Sequence, residues 1–192
     1  KQDNDWLERH FVNEAENIMN TYKETSKEDI NKVAKKMIEA DYIWLGGWRM
    51  TMAVTSYMQF VLKYMLGNSS MVPQGEISEY VGHFKKNELL FVCAFPRYDK
   101  KVLKIAQHAK KVGVYVVALT DSTLSPICKY ADAVLYAKNS SIFFLDSYTA
   151  SLAVCNTIIN EISYIGGDRV KANVEKMEQC LAEFNDYNEW KT

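Results

Sequence analysis

Two short stretches of this chain, Gly47-Trp48-Arg49-Met50-Thr51 and Phe95-Pro96-Arg97-Tyr98-Asp99, each set one arginine next to an aromatic residue just after an apolar run. A guanidinium offers two parallel N–H donors to a carboxylate or phosphate, so two of them at one crevice suit a small anionic ligand. A third stretch, Thr120-Asp121-Ser122 followed by Ser125-Pro126, supplies hydroxyls. The expected ligand-binding set is therefore Trp48, Arg49, Thr51, Arg97, Tyr98, Thr120, Ser122 and Ser125, with Thr51 and Ser122 as donors and Trp48 or Tyr98 as a wall. The competing reading pairs Arg97 with Asp99 or Asp121 and leaves Arg49 at the surface or at a subunit contact, since arginine is a common ion-pair partner. Pro96 has no N–H to give to a phosphate nest, and Asp99 reads as the N-cap of the following helix.

No catalytic residue is nominated. His10, His83 and His108 are dispersed, and His108 shares the outer face of a helix with Lys101, Lys104 and Lys111, where a solvated side chain is expected. Ser125 would act as a nucleophile only with a histidine nearby, and as a turn or capping serine it needs none. Asp146 and Glu161 are carboxylates that could serve as general bases, but nothing in the sequence singles out either. Cys93, Cys128, Cys155 and Cys180 lie 25 or more residues apart, without a C-x-x-C pair, and read as buried thiols. No metal site and no cofactor are expected.

These loops need a scaffold, and the patterning supplies one. Apolar runs near 42–46, 69–73, 89–94, 114–119 and 133–137 alternate with helical segments near 50–66, 76–85, 99–112, 143–164 and 168–188. Strands of that kind, separated by helices, predict a parallel sheet covered on both faces, a three-layer α/β/α sandwich of five strands in the flavodoxin-like order 2-1-3-4-5. In that order the loops after the first and third strands face one crevice at the carboxyl edge of the sheet. Ahead of it, residues 5–22 form an amphipathic helix, and Ser26-Lys27-Glu28-Asp29 resembles a capping box that opens a helix over 27–40. Gly113 sits where a helix C-cap belongs, and Gly166-Gly167 separates the last two helices.

The expected organisation is one domain over 1–192: a helical lead-in at 5–40, an α/β core at 41–165 and a C-terminal helix at 168–188. Its 192 residues are 48% hydrophobic, enough for one core. With 23 basic and 24 acidic residues the net charge is -1, and residues 1–40 carry seven basic and nine acidic side chains, so neither offers a nucleic-acid surface. The most apolar stretch, Ile142 to Ile165, contains Asp146, Asn156, Asn160 and Glu161, which argues for a buried helix over a membrane span. That helix, apolar around most of its circumference, predicts a homodimer or tetramer. The first residue is Lys1, which suggests an excised fragment.

From about Phe11 to Tyr187 the chain resembles the sugar isomerase (SIS) domain found at the C-terminal end of RpiR-type bacterial transcription regulators. Thr120-Asp121-Ser122, Ser125-Pro126 and Ala131-Asp132 are similar to the family's T-D-S-x-x-S-P-L-x-x-x-A-D pattern, with Ile127 in place of Leu. Two loops depart. Where SIS domains show G-x-G-x-S, Arg49 replaces the second Gly; where they show S-x-S-G-x-T, the chain reads Ala94-Phe95-Pro96-Arg97-Tyr98-Asp99, as in an F-P-R-Y branch of the regulators. The resemblance implies a cytoplasmic, non-enzymatic effector-sensing and dimerising domain. Its partners would be a small anionic metabolite such as a phosphosugar, and DNA reached only through an N-terminal helix-turn-helix absent from this chain. A phosphosugar isomerase on the same fold is the alternative.

Overall fold

A computed structural model of the chain describes residues 5–184. Five parallel strands, β1 (Ile43–Gly46), β2 (Ser69–Met71), β3 (Leu89–Ala94), β4 (Tyr115–Thr120) and β5 (Ala133–Tyr136), pair in the order β2-β1-β3-β4-β5. The register is continuous across the centre, from Ile43 beside Leu89 to Ala94 beside Thr120. Side chains alternate across a strand, and the core divides accordingly. Ile43, Leu45, Leu89, Phe91, Val117 and Leu119 face one layer, formed by α2 (Lys27–Glu39), α3 (Met52–Leu66) and α6 (Thr149–Ile165). Leu90, Val92, Val116 and Ala118 face the other, formed by the short α4 (Ile77–Val81) and by α5 (Lys100–Val112). The last helix, α7 (Gly167–Glu183), adds Val170 to the first layer.

Local chemistry sets the boundaries. Ser26 accepts from the Asp29 amide at 3.3 Å to start α2, Asp99 accepts from the Lys101 amide at 2.8 Å to start α5, and Gly113 ends α5 at φ 86°. Asp132 ties β5 to β4, its two oxygens accepting from the Val116 amide at 2.8 Å and from Lys110 at 2.9 Å. The proposed C-terminal helix begins one residue early, and positions 185–188, with Tyr187, lie outside the described residues. The helix expected over 76–85 is confined to Ile77–Val81, because residues 82–88 turn back into β3 through a non-glycine residue at positive φ, Asn87 (φ 77°).

Three expectations are corrected. The long apolar helix starts at Thr149, not near 143: the Ser147 hydroxyl accepts from the Thr149 amide at 3.3 Å, and Phe143, Phe144 and Leu145 are exposed in the loop ahead of it. The lead-in helix α1 (Trp6–Glu24) turns its polar side inward. Its buried residues are Asn17 and Thr21, whereas Phe11 is 66% and Tyr22 70% exposed. Asn13 and Asn17 both donate to the Ser140 carbonyl, at 2.8 and 2.7 Å, and Thr21 accepts from the Lys138 amide at 2.8 Å, so α1 is attached by hydrogen bonds that the apolar pattern does not reveal. His108 is not free in solvent, since a ring nitrogen lies 3.1 Å from the Val81 carbonyl and the ring packs near Phe84.

Among the described residues no helix is long and apolar enough to cross a membrane. Cys93 and Cys155 are buried, whereas Cys128 and Cys180 are only partly so; all four thiols are free.

A test follows from the break between α6 and α7. A Cβ at Gly166 would stand 2.3 Å from Val170 Cγ2 and 2.6 Å from the Ile162 carbonyl. Gly166→Ala is expected to destabilise the fold by about 1–3 kcal/mol, read as a lower urea midpoint at unchanged slope.

Candidate functional site

β1 and β3 are neighbours whose connections leave in opposite directions, so their following loops open a crevice at the carboxyl edge of the sheet. A cleft of about 590 Å³ lies there, within the size range of small-molecule sites. Trp48, Arg49, Met50 and Thr51 line it from the β1 side, residues 94–101 from the β3 side, and Phe144, Leu145, Asp146 and Tyr148 from the loop before α6. A second cleft, about 380 Å³ and lined by Lys36, Asp41, Asn87 and Tyr115, lies at the opposite edge, where the strands begin. In an open parallel sheet that edge is not where ligands bind, so the carboxyl-edge cleft is the candidate site.

Both arginines reach this cleft. Among the described residues neither the Arg49 nor the Arg97 side chain has a hydrogen bond, ion pair or ring contact. Asp99 is engaged with the Lys101 amide, and Asp121 accepts from the Tyr98 hydroxyl at 3.0 and 3.2 Å, so neither carboxylate holds Arg97. Both arginines also adopt left-handed backbone, Arg49 at φ 57° and Arg97 at φ 71°. Non-glycine residues rarely occupy that region because Cβ meets the neighbouring carbonyl. These are the two positions at which the SIS pattern of the resemblance carries glycine, a residue suited to that backbone.

The other expected residues divide. Trp48 lines the cleft but is only 5% exposed, its indole N–H donating to the Val72 carbonyl at 3.1 Å. The Thr51 hydroxyl donates to the Trp48 carbonyl at 2.9 Å and so closes its own turn. Tyr98 lines the cleft while its hydroxyl reaches Asp121; burial first, then the Asp121 carboxylate, raises its pKa. Thr120, Ser122 and Ser125 do not line the cleft. Thr120 is fully buried and donates to the Ala94 carbonyl, Ser122 accepts from the Leu124 amide at 3.0 Å, and the Ser125 hydroxyl is buried without a partner among the described residues. The Tyr98 side chain, bridging to Asp121, stands between the cleft and this turn, which the sequence pattern alone does not reveal.

Phe144, Leu145, Asp146 and Tyr148, with Lys100 and Lys101, were missed as lining. The segment before α6 reads as helix when only its apolar content is counted, but Asn139-Ser140-Ser141 and Ser147 were the turn and capping signals that mark it as a loop. Glu161 is remote from the cleft and accepts from Asn31 at 2.6 Å. Among the described residues no cluster of His, Cys, Asp and Glu could hold a metal.

A three-layer fold with an arginine-lined, aromatic-walled cleft at its strand-order reversal defines an open α/β domain whose candidate site lies at the carboxyl edge of the sheet. The SIS domain family model matches residues 36–161, and the chain belongs to that family. Its fold is similar to the sugar isomerase domain of an RpiR transcription factor from Sphaerobacter thermophilus, at TM-score 0.86 and 24% identity over 91% of this chain and 99% of that one. It is also similar to the Vibrio vulnificus NanR protein complexed with ManNAc-6P, at TM-score 0.83 and 16% identity over 95% of this chain and 71% of that one. A Methanococcus jannaschii protein with an inferred function of 3-hexulose-6-phosphate isomerase aligns at TM-score 0.66 and 18% identity, over 85% and 93%. No curated protein sequence matches this chain significantly.

The left-handed arginine makes a prediction that an anchoring arginine would not. Arg97→Gly relieves backbone strain and breaks no contact, so it is expected to raise stability by about 1 kcal/mol in chemical unfolding. A loss of stability would assign the side chain a structural role.

Proposed function

We propose that this is the effector-sensing and dimerising domain of a cytoplasmic RpiR-type transcription regulator, and that its effector is a small anionic sugar derivative held between the loops after β1 and β3. The observation that carries this reading is the pair of uncompensated guanidiniums on one cleft. The complex of NanR with ManNAc-6P supports an anionic sugar on this fold. Sensing without chemistry also agrees with the cleft's titratable groups. Burial raises the Cys93 thiol well above its ordinary value, and burial together with the Asp146 charge pushes Tyr148 up to about 12. Neither group is poised to take a proton near neutral pH. DNA contact would fall to a helix-turn-helix outside this chain, whose own net charge is -1.

The isomerase reading keeps one specific support: Asp146 lines the cleft as a carboxylate that could serve as a base, on a fold shared with the Methanococcus jannaschii protein. Turnover of a sugar phosphate that Asp146→Asn abolishes would establish it in place of the sensor.

Dimerisation would cover the outward apolar face of α1. Trp6, Leu7, Phe11, Val12 and Tyr22 are exposed there, and the Trp6 ring meets that of Phe143 at 6.3 Å. In light scattering at tens of micromolar the chain is expected to run as a dimer or tetramer, and Phe11→Glu with Tyr22→Glu as a monomer.

The sensor itself is tested by a thermal-shift and calorimetric screen of small anions. A ligand at 100 times its Kd should stabilise the domain by about 2.7 kcal/mol. Arg97→Ala should weaken that ligand by roughly 1.5–3 kcal/mol, the range for a hydrogen bond to a charged group, with melting of the unliganded protein not lowered.

A further inference from the structure

Several donors that a phosphate group would use are committed in this cleft. Pro96 has no N–H, the Tyr98 amide donates to the Phe95 carbonyl at 2.8 Å, and the Lys101 amide donates to Asp99 at 2.8 Å. Asp99 therefore caps the N-terminus of α5 with its own negative charge, at the place where a helix N-terminus would otherwise receive an anion. The hydroxyls are committed too: Thr51 to the Trp48 carbonyl, Tyr98 to Asp121 and Thr120 to the Ala94 carbonyl. Among the side chains, the forks of Arg49 and Arg97 remain uncommitted, with Lys100 and Lys101 alongside.

A fork presents two parallel N–H bonds to two coplanar oxygens, which is the shape of a carboxylate. One fork meets the two syn sites of an ionised carboxylate and a second guanidinium can reach one of its outer sites, whereas the three oxygens of a phosphate monoester call for further donors. Adjacent strands lie about 5 Å apart, so the loops that follow β1 and β3 start close enough for both side chains to meet on one group. Asp146, on the facing loop, can accept from ligand hydroxyls, and Phe144 and Tyr148 offer apolar faces to a carbon skeleton.

We propose that the cleft is a carboxylate site: it takes a small sugar acid, gripped by the forks of Arg49 and Arg97, in preference to a phosphorylated sugar. The proposal rests on reading the cleft as the ligand site. It is tested by calorimetric titration of the whole chain with two matched sets of probes, gluconate and glucuronate against glucose 6-phosphate and N-acetylmannosamine 6-phosphate. The sugar acids are expected to bind at least about tenfold more tightly, the loss of one charge-assisted hydrogen bond being worth that much. Arg97→Lys keeps the charge and the left-handed backbone but removes the fork. It should weaken the sugar acid by roughly tenfold or more and leave the melting curve unchanged.

Tighter binding of the phosphorylated sugars, or a sugar acid indifferent to Arg97→Lys, would overturn the proposal and leave the anion site standing. Binding by neither set would overturn both.

Discussion

Strand β3 carries no charged side chain, and all six of its residues are buried, so both of its faces and both of its edges must be covered by the rest of the chain. Helices α2, α3 and α6 close one face, α5 closes the other, and β1 and β4 take the edges. Because a parallel strand can be joined to the next only by a crossover, each edge of β3 commits a helix to one layer. The chain passes through β1, goes outward to β2, returns to β3 and then continues to the other side. That reversal separates the loops after β1 and β3 and leaves the cleft between them.

Within that frame the two arginine loops combine a glycine-like backbone with charged side chains. Left-handed conformation at residues 49 and 97 is what glycine would adopt freely, and the arginines retain it despite their Cβ. Pro96, the capping Asp99 and the Tyr98–Asp121 bond then occupy the donors and the space that hydroxyls and amides would otherwise provide. The result is a cleft whose rim carries charged side chains.

The third wall of the cleft has a different origin. Residues 144–148 are positioned by a loop that α1 holds from below, through Asn13, Asn17 and Thr21, and through Glu14, which accepts from the Ser147 hydroxyl at 2.6 Å. The helix uses its polar residues for this attachment, and its apolar residues are left on the outside. One loop therefore joins the lining of the cleft to the underside of the helix with the most exposed apolar surface.

The layers and the strand count were legible in the sequence, because buried parallel strands must be continuous apolar runs and amphipathic helices must repeat at helical spacing. Ser26, Asp99, Gly113 and Gly166 announced their boundaries through caps and breaks that act within a few residues. The two arginines were legible as candidates for the same reason: residue type and position after a strand are local facts. What the sequence did not contain is which way α1 faces, since an apolar stripe records only that a face avoids water and not which surface covers it. Nor did it show that the Thr120, Ser122 and Ser125 turn is screened by Tyr98, or that residues 144–148 form a wall. Those depend on contacts between segments more than 20 residues apart, such as Tyr98 with Asp121 and Asn17 with Ser140, and only the folded chain brings such partners together.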